Sequence, residues 1–194
     1  MIKDKIVTQL KNAFLESLEK TKKTNREYGF LMCIDKDGKL SASRSKCEGD
    51  LCSIRLGLIR DKCPEKVQGF FHTHPQKLLL EELFNEKMTD EDVKELVVRS
   101  REHFKKKGIT VQGPSHQDAL TTLLLKCEKE LEGTVCTGSD LETDKVECWT
   151  TKRNAANFLT CNYAKIDNFL TAEMGINPKK WIKPLFDKEM INLK

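Results

Sequence analysis

The sequence predicts an α+β fold in which helices flank a mainly antiparallel or mixed sheet. Apolar residues recur every four positions over residues 2–20, which is the spacing of an amphipathic helix. Short apolar runs bounded by turn residues indicate strands further along the chain, at 27–34, 53–59, 67–74, 133–138 and 145–152. A segment with helical periodicity lies between the first three predicted strands and the last two. An order in which groups of strands alternate with groups of helices is typical of α+β domains.

The first half of the chain predicts a helix followed by strands. After the helix over 2–20, EYGFLMCI (27–34) is a continuous apolar run that predicts a strand buried on both faces. DKDG (35–38) is a hairpin turn signal that leads into a polar or edge strand over 39–46. VQGFFHTH (67–74) predicts another buried strand, and the proline that follows ends it.

Residues 76–113 change in character and predict a helical insertion. KLLLEELFNEK indicates a short helix within this segment. A second helix begins at Thr89, where Asp92 completes a pair resembling a capping box, and it ends at Gly108. Another helix is predicted from Ser115 through ALTTLLLKCEKEL.

The predicted organisation is one domain over 1–152 followed by a helical C-terminal extension over 153–194. The chain has 194 residues, which is enough for one well-buried domain. Residues 151–194 carry eight basic and four acidic side chains, which accounts for the whole net charge of +4. This weak, diluted excess does not predict nucleic-acid binding. No apolar run is long enough to span a membrane and no signal-peptide pattern opens the chain, so a cytoplasmic location is predicted.

Eight cysteines are distributed along the chain without any CxxC pair. The closest pair is Cys47 and Cys52, and no second pair with suitable spacing completes a structural zinc site. We interpret most of the cysteines as small buried side chains, with one or two disulfides as the alternative.

His72 and His74 are the first part of a candidate metal site. Alternate side chains of a strand share one face, so both imidazoles can reach a single point where the strand enters a loop. A catalytic zinc site needs a third ligand and one position for water. Because the chain has only four histidines, a carboxylate is the expected third ligand, and Asp118 in PSHQD is the candidate. The alternative for Ser115 and Asp118 is a purely structural capping box.

HTHP (72–75) followed by PSHQD (114–118) resembles the H-x-H-P…S-x-x-D signature of the JAMM, or MPN-plus, zinc metallopeptidases. The order of predicted elements over residues 1–152 also resembles that family, with a glutamate opening the first strand. The resemblance implies an MPN-like fold, a layered arrangement similar to cytidine deaminases, with zinc as the cofactor. The long segment 76–113 departs from the family, in which only a few residues separate the two motifs.

Carried over residue by residue, the resemblance implies that three side chains bind the zinc: His72, His74 and Asp118. Ser115 would donate a hydrogen bond to the developing oxyanion. Glu27 would hold the catalytic water and pass its proton to the leaving amine. The implied substrates are amide or isopeptide bonds at the C-terminus of ubiquitin-like or sulfur-carrier proteins, with neither nucleic acid nor membrane as a partner.

Other classes of protein account for these motifs less well. Amidohydrolase and phosphoesterase barrels also use HxH, but they draw additional ligands from several barrel strands, which this chain cannot supply. A cysteine protease using His103 or His116 has no local signature here. Asp92 is an alternative third ligand, although no proline precedes its motif. The main alternative is an MPN-type scaffold that has lost catalysis, and such modules usually lack ligand residues that this chain has.

Overall fold

The computed structural model describes the following residues: 2–43, 47–48, 63, 65–77, 81, 85–89, 91–93, 95–96, 114, 116–129, 133–152 and 185–194. Its two long helices are α1 (Ile2–Thr24) and α2 (His116–Lys129). Its strands are β1 (Tyr28–Ile34), β2 (Leu40–Ala42), β3 (Cys47–Glu48), β4 (Lys66–His74), β5 (Thr134–Ser139), β6 (Glu142–Thr151) and β7 (Phe186–Asn192). The predicted α+β class, a mixed sheet flanked by helices, is therefore confirmed.

The described strands form one mixed sheet in the order β2-β1-β4-β5-β6-β7, and β3 pairs with β1. Neighbouring strands run antiparallel except for β4 and β5, which are parallel. A parallel pair requires a crossover connection, and α2 lies in the chain between these two strands. This crossover brings the start of α2 towards the end of β4.

α1 covers one face of the sheet with an apolar stripe. The residues of the stripe recur every four positions and are buried: Ile6, Leu10, Phe14 and Leu18. The ring of Phe14 lies 4.7 Å from that of Phe71 on β4 and 5.6 Å from that of Phe30 on β1, measured between centroids. The predicted amphipathic helix is confirmed, and this aromatic group joins it to the central strands.

Asp35 and Gly38 build the turn between β1 and β2. The Oδ1 atom of Asp35 accepts hydrogen bonds from the backbone N–H groups of Asp37 and Lys39, at 3.0 and 2.8 Å. Gly38 has a φ of 73°, a left-handed conformation that glycine adopts without steric cost. The predicted DKDG hairpin turn is therefore confirmed.

α2 covers the opposite face of the sheet. Its buried residues recur at helical spacing: Asp118, Ala119, Thr122, Leu123 and Lys126. The helix contacts β5 and β6. Because successive strand residues point to opposite faces, Phe71 faces α1 while His72 faces α2.

Two disulfides are present among the described cysteines. Cys33 is bonded to Cys63, and Cys136 on β5 is bonded to Cys148, its direct partner on β6. These two bonds match the alternative of one or two disulfides, and Cys33, Cys136 and Cys148 are also buried, as expected for small core side chains. Cys136 and Cys148 are brought together by the register of β5 and β6, which local spacing in the sequence does not reveal.

The end of the chain differs from its predicted helix. Phe186–Asn192 forms β7, which pairs with β6 over the register from Thr151↔Phe186 to Lys145↔Asn192. The helical prediction is wrong there because pairing with β6 satisfies backbone groups that an edge strand would leave open. β7 therefore belongs to the same sheet as the strands of the predicted 1–152 domain.

Several predictions concern residues outside the described ranges, namely the strand at 53–59, the helical segment 153–184 and most of the insertion at 76–113. Within the insertion, Thr89 and Asp92 form the predicted capping pair: the N–H of Thr89 donates to Oδ2 of Asp92 and the N–H of Asp92 donates to Oγ1 of Thr89, at 3.0 and 3.1 Å. No helix among the described residues has the length and apolar character needed to cross a bilayer.

Candidate metal centre

His72 and His74 lie at the end of β4 on the face that α2 covers. The two-residue repeat of the strand points both side chains the same way. Their ring centroids are 4.8 Å apart, with His72 buried and His74 partly buried. The predicted convergence of the two imidazoles is therefore present in the structure.

Thr73, between the two histidines, ties the end of β4 to neighbouring elements on the other face. Its Oγ1 atom accepts a hydrogen bond from the backbone N–H of Tyr28 at 2.9 Å and shares another with the hydroxyl of Thr21 on α1. Both threonine side chains are fully buried. Because Glu27 directly precedes Tyr28, these bonds also fix the position of Glu27 beside the histidine pair.

Glu27 stands immediately before β1 and faces the same side of the sheet as His72. The register of β1 and β4 places Gly29 opposite His72, and alternation puts Glu27 on the same face as Gly29. The Oε2 atom of Glu27 lies 3.7 Å from Nδ1 of His72, and the residue is only 5% exposed. A glutamate in this environment can act on a neighbouring group with little competition from bulk water.

Asp118 approaches His72 from the opposite edge of the imidazole ring. It belongs to the first turn of α2, where the helix dipole favours an acidic side chain. Its Oδ1 atom lies 3.0 Å from Nε2 of His72, and the residue is buried. The structure thus brings together two motifs that are separated in the chain by the 38 residues of segment 76–113.

His72 is consequently held between two carboxylates. Burial lowers the pKa of His72, but the charge of Asp118 and the further contribution of Glu27 outweigh it and raise the pKa to about 9. Among the described residues, no acceptor is aligned for a hydrogen bond with either ring nitrogen, despite the short distances. A divalent cation would replace the proton on His72 as the positive charge between these carboxylates.

His74 is held in its neutral form. Burial, followed by the charge of His72, lowers its pKa to about 4, against the opposing effect of Asp118. A neutral imidazole is the form that binds metals. One ligand atom each from Glu27, His72 and His74 lies within 4.8 Å of the others. This Glu/His/His group is therefore able to hold a metal ion.

The positions of the two carboxylates allow two arrangements of ligands. A metal at Nε2 of His72 takes Asp118 as a ligand and leaves Glu27 beside Nδ1, where it can orient the ring or act on water. A metal at Nδ1 instead takes Glu27 and leaves Asp118 to orient the ring. In either case one carboxylate binds the metal while the other supports the histidine, as in many metal sites.

The structure separates one other candidate, Asp92, from this group. Asp92, the alternative third ligand, is exposed and its Oδ2 atom accepts hydrogen bonds from the backbone and hydroxyl of Thr89. It therefore serves as a helix cap. Ser115, predicted to donate to the oxyanion, lies outside the described residues.

Asp140 is a residue near the centre that the sequence analysis does not identify. It follows β5 directly and accepts hydrogen bonds from the backbone N–H groups of Gln76 and Lys77, just beyond His74. No local pattern could reveal this contact, because it joins segments more than sixty residues apart. The only hint is an acidic residue at the end of a strand in GTVCTGSD.

No protein-family model matches this chain, and a comparison with curated proteins also gives no match. The resemblance to the JAMM family therefore depends on HTHP, PSHQD and the order of the elements around them.

Proposed function

We propose that this protein is a zinc-dependent peptidase or isopeptidase of the JAMM type, built on an MPN-like fold. The observation that carries the proposal is the placement of His72 and His74 at a strand end, with buried Glu27 and Asp118 on opposite edges of the first imidazole. A mixed sheet with a helix on each face supports the MPN-like arrangement. The order of the motifs along the chain supports the family.

Zinc is the metal that the donor set favours. Imidazole nitrogens with one carboxylate oxygen are a common ligand set of catalytic zinc, whereas magnesium and calcium prefer sites built from oxygen alone. When bound, zinc supplies Lewis acidity towards the amide carbonyl and lowers the pKa of water to about 7. We assign zinc binding to His72, His74 and Asp118, the first of the two arrangements.

Glu27 provides the proton transfer in this proposal. Its carboxylate is buried beside the histidine pair, so it can accept a proton from water and deliver it to the leaving amine. Amide hydrolysis needs this step because an amine anion is a very poor leaving group. Ser115 is proposed as the donor to the oxyanion on the strength of the motif alone.

The proposed substrates are protein conjugates joined through the C-terminus of a ubiquitin-like or sulfur-carrier protein. This class follows from the resemblance of HTHP and PSHQD to the family motifs. An MPN-type scaffold without catalysis is the opposing hypothesis. Cleavage of a conjugate distinguishes the two, because a scaffold binds but leaves the bond intact.

The test is incubation of the zinc-loaded protein with a panel of ubiquitin-like and sulfur-carrier conjugates, with and without a chelator. We expect cleavage of at least one conjugate, its loss with the chelator and its recovery when zinc is restored. Glu27→Gln should abolish most of this turnover. Glu16→Gln is the matched control, because Glu16 is an exposed residue of α1 paired with Lys20 and should leave turnover unchanged.

Two results would contradict the proposal. Cleavage that persists in the chelator and in Glu27→Gln would place the activity in another part of the protein or in a contaminant. A zinc-loaded protein that binds a conjugate tightly but leaves it intact would support the scaffold hypothesis.

A further inference from the structure

We propose that Asp140 is a positioning residue of the metal centre, which fixes His74 by holding the backbone that follows it. The inference rests on the metal centre of the proposed function, and it does not depend on which bond, if any, the protein cleaves. It assigns a role to a buried carboxylate that directly follows β5, whereas both histidines lie on β4.

Asp140 contacts the segment after β4 with both its side chain and its backbone. Its Oδ1 atom accepts a hydrogen bond from the N–H of Gln76 at 2.9 Å, and its Oδ2 atom accepts one from the N–H of Lys77 at 3.3 Å. In return, its own N–H donates to the carbonyl oxygen of His74 at 3.4 Å. Three bonds from one residue therefore hold the chain from His74 to Lys77.

The local sequence explains why this segment needs an acceptor. Pro75 ends β4 and has no N–H to donate. Gln76 and Lys77 begin a helical turn, and the first N–H groups of such a turn have no partner within it. A carboxylate satisfies these donors in the same way as a helix cap, and its charge suits the end of the helix dipole. Asp140 supplies this cap from the turn that follows the neighbouring strand β5.

The position of Asp140 connects this cap to the histidines. β5 runs parallel to β4 and places Ser139 beside His74, so Asp140 is the first residue beyond the paired ladder. Asp140 and Gln76 are both buried, which protects their hydrogen bond from water. Without these bonds the chain after the strand would lose its anchor, and the His74 imidazole would be less well oriented for a metal.

Support of a metal ligand by a neighbouring residue is typically worth about 10–100-fold in metal affinity. The predicted effect of removing the Asp140 carboxylate is a loss of this size. Fold stability also falls when the cap is lost, so the experiment must separate the two effects. The chain offers a matched control for this purpose.

Asp35 is that control. Its carboxylate also accepts two backbone N–H bonds, those of Asp37 and Lys39, but in the β1–β2 turn at the opposite end of β1 from Glu27. Asp35→Ala removes the same type of contact without touching the metal centre. A comparison of Asp140→Ala with Asp35→Ala therefore tests whether the carboxylate must lie beside the metal centre, because both variants carry the general cost of losing a cap.

The experiment measures the zinc dissociation constant of the full chain by competition with a chromophoric chelator. Visible absorption after cobalt(II) substitution reports the geometry of the ligands. We expect Asp140→Ala to weaken zinc binding by about 10–100-fold and to alter the cobalt spectrum, with Asp35→Ala unchanged in both. If Asp140→Ala does not fold, Asp140→Asn, which keeps one acceptor oxygen, should show a smaller change in the same direction.

Unchanged zinc affinity and an unchanged cobalt spectrum in a folded Asp140 variant would overturn the inference, as would equal losses in the Asp35 and Asp140 variants. A wild-type protein that binds no zinc would overturn both this inference and the metal centre. A wild-type protein that binds zinc but cleaves no conjugate would contradict the proposed activity alone.

Discussion

The two carboxylates beside His72 can be assigned to different roles by replacing each with its amide. Glu27→Gln and Asp118→Asn keep the size and most of the hydrogen-bonding capacity of each side chain while removing its negative charge. Both residues are buried and both lie against the same imidazole, at 3.7 Å and 3.0 Å. A difference between the two variants therefore reflects the role of the carboxylate and not its exposure.

The expected magnitudes follow from the proposed roles. Loss of the Asp118 ligand should weaken zinc binding by more than about 10²-fold, because even indirect support of a ligand is worth 10–100-fold. Loss of the Glu27 base should leave about one zinc per chain but reduce turnover by about 10²–10⁴-fold. That decrease corresponds to roughly 2.7–5.4 kcal/mol in the activation barrier.

The assay combines elemental analysis after dialysis with turnover of a conjugate at saturating zinc. Asp92→Asn is the control for Asp118→Asn, because both aspartates lie in the first turn of a helix but Asp92 serves only as a cap for Thr89. It should retain full zinc and full turnover. The opposite pattern, with zinc lost in Glu27→Gln and kept in Asp118→Asn, would refute the assignment and make Glu27 the ligand.

Three other predictions follow from individual contacts. His74→Ala should lose the bound zinc, and dialysis followed by elemental analysis should then find well below one zinc per chain. Thr73→Val should lower the free energy of unfolding, measured by urea denaturation, by about 1–3 kcal/mol, because the buried N–H of Tyr28 loses its acceptor. The control is Thr24→Val: Thr24 is exposed, so this change should alter the free energy of unfolding by less than about 0.5 kcal/mol. Reduction of the Cys136–Cys148 disulfide should release two thiols in a thiol titration and lower the melting temperature. If the protein isolated from cells already has these thiols free, a reducing compartment such as the cytoplasm is supported.

The elements that carry local patterns could be predicted from the sequence. The four-residue repeat from Ile6 to Leu18 predicts the helix and its buried face, and both are observed. The apolar run at 27–34 predicts a buried strand, which matches β1 except at its first residue. DKDG predicts the turn in which Gly38 adopts its left-handed conformation. In each case the signal lies within a few residues of the structure that it specifies.

Features that depend on distant pairing could not be predicted in the same way. β7 forms because β6 presents an open edge, and nothing in FDKEMIN favours a strand strongly enough to reveal this. The Cys136–Cys148 disulfide depends on the register of β5 and β6. Both features follow from which strands pair in the sheet. The paired segments are distant in the chain, and no local sequence pattern marks them as partners.

The candidate site shows the same division between local and distant signals. His72 and His74 share a strand face, which their spacing predicts, and the resemblance of the PSHQD motif to a family motif predicts Asp118 beside them. The position of Glu27 at the start of a strand predicts its role, and the register of β1 with β4 brings it to the histidines. Asp140 has no comparable signal, because its role depends on the parallel pairing of β4 with β5.

The contacts that assemble the site come from three separate connections. Thr73 joins β4 to α1 and to the start of β1, which places Glu27. The crossover through α2 places Asp118, and the end of β5 holds the chain beyond His74 through Asp140. Because each connection positions a different side chain, damage to one should impair one of the proposed properties first: the proposed proton transfer for Thr73, and the proposed metal affinity for Asp140. A site held by a single element would instead lose both properties together.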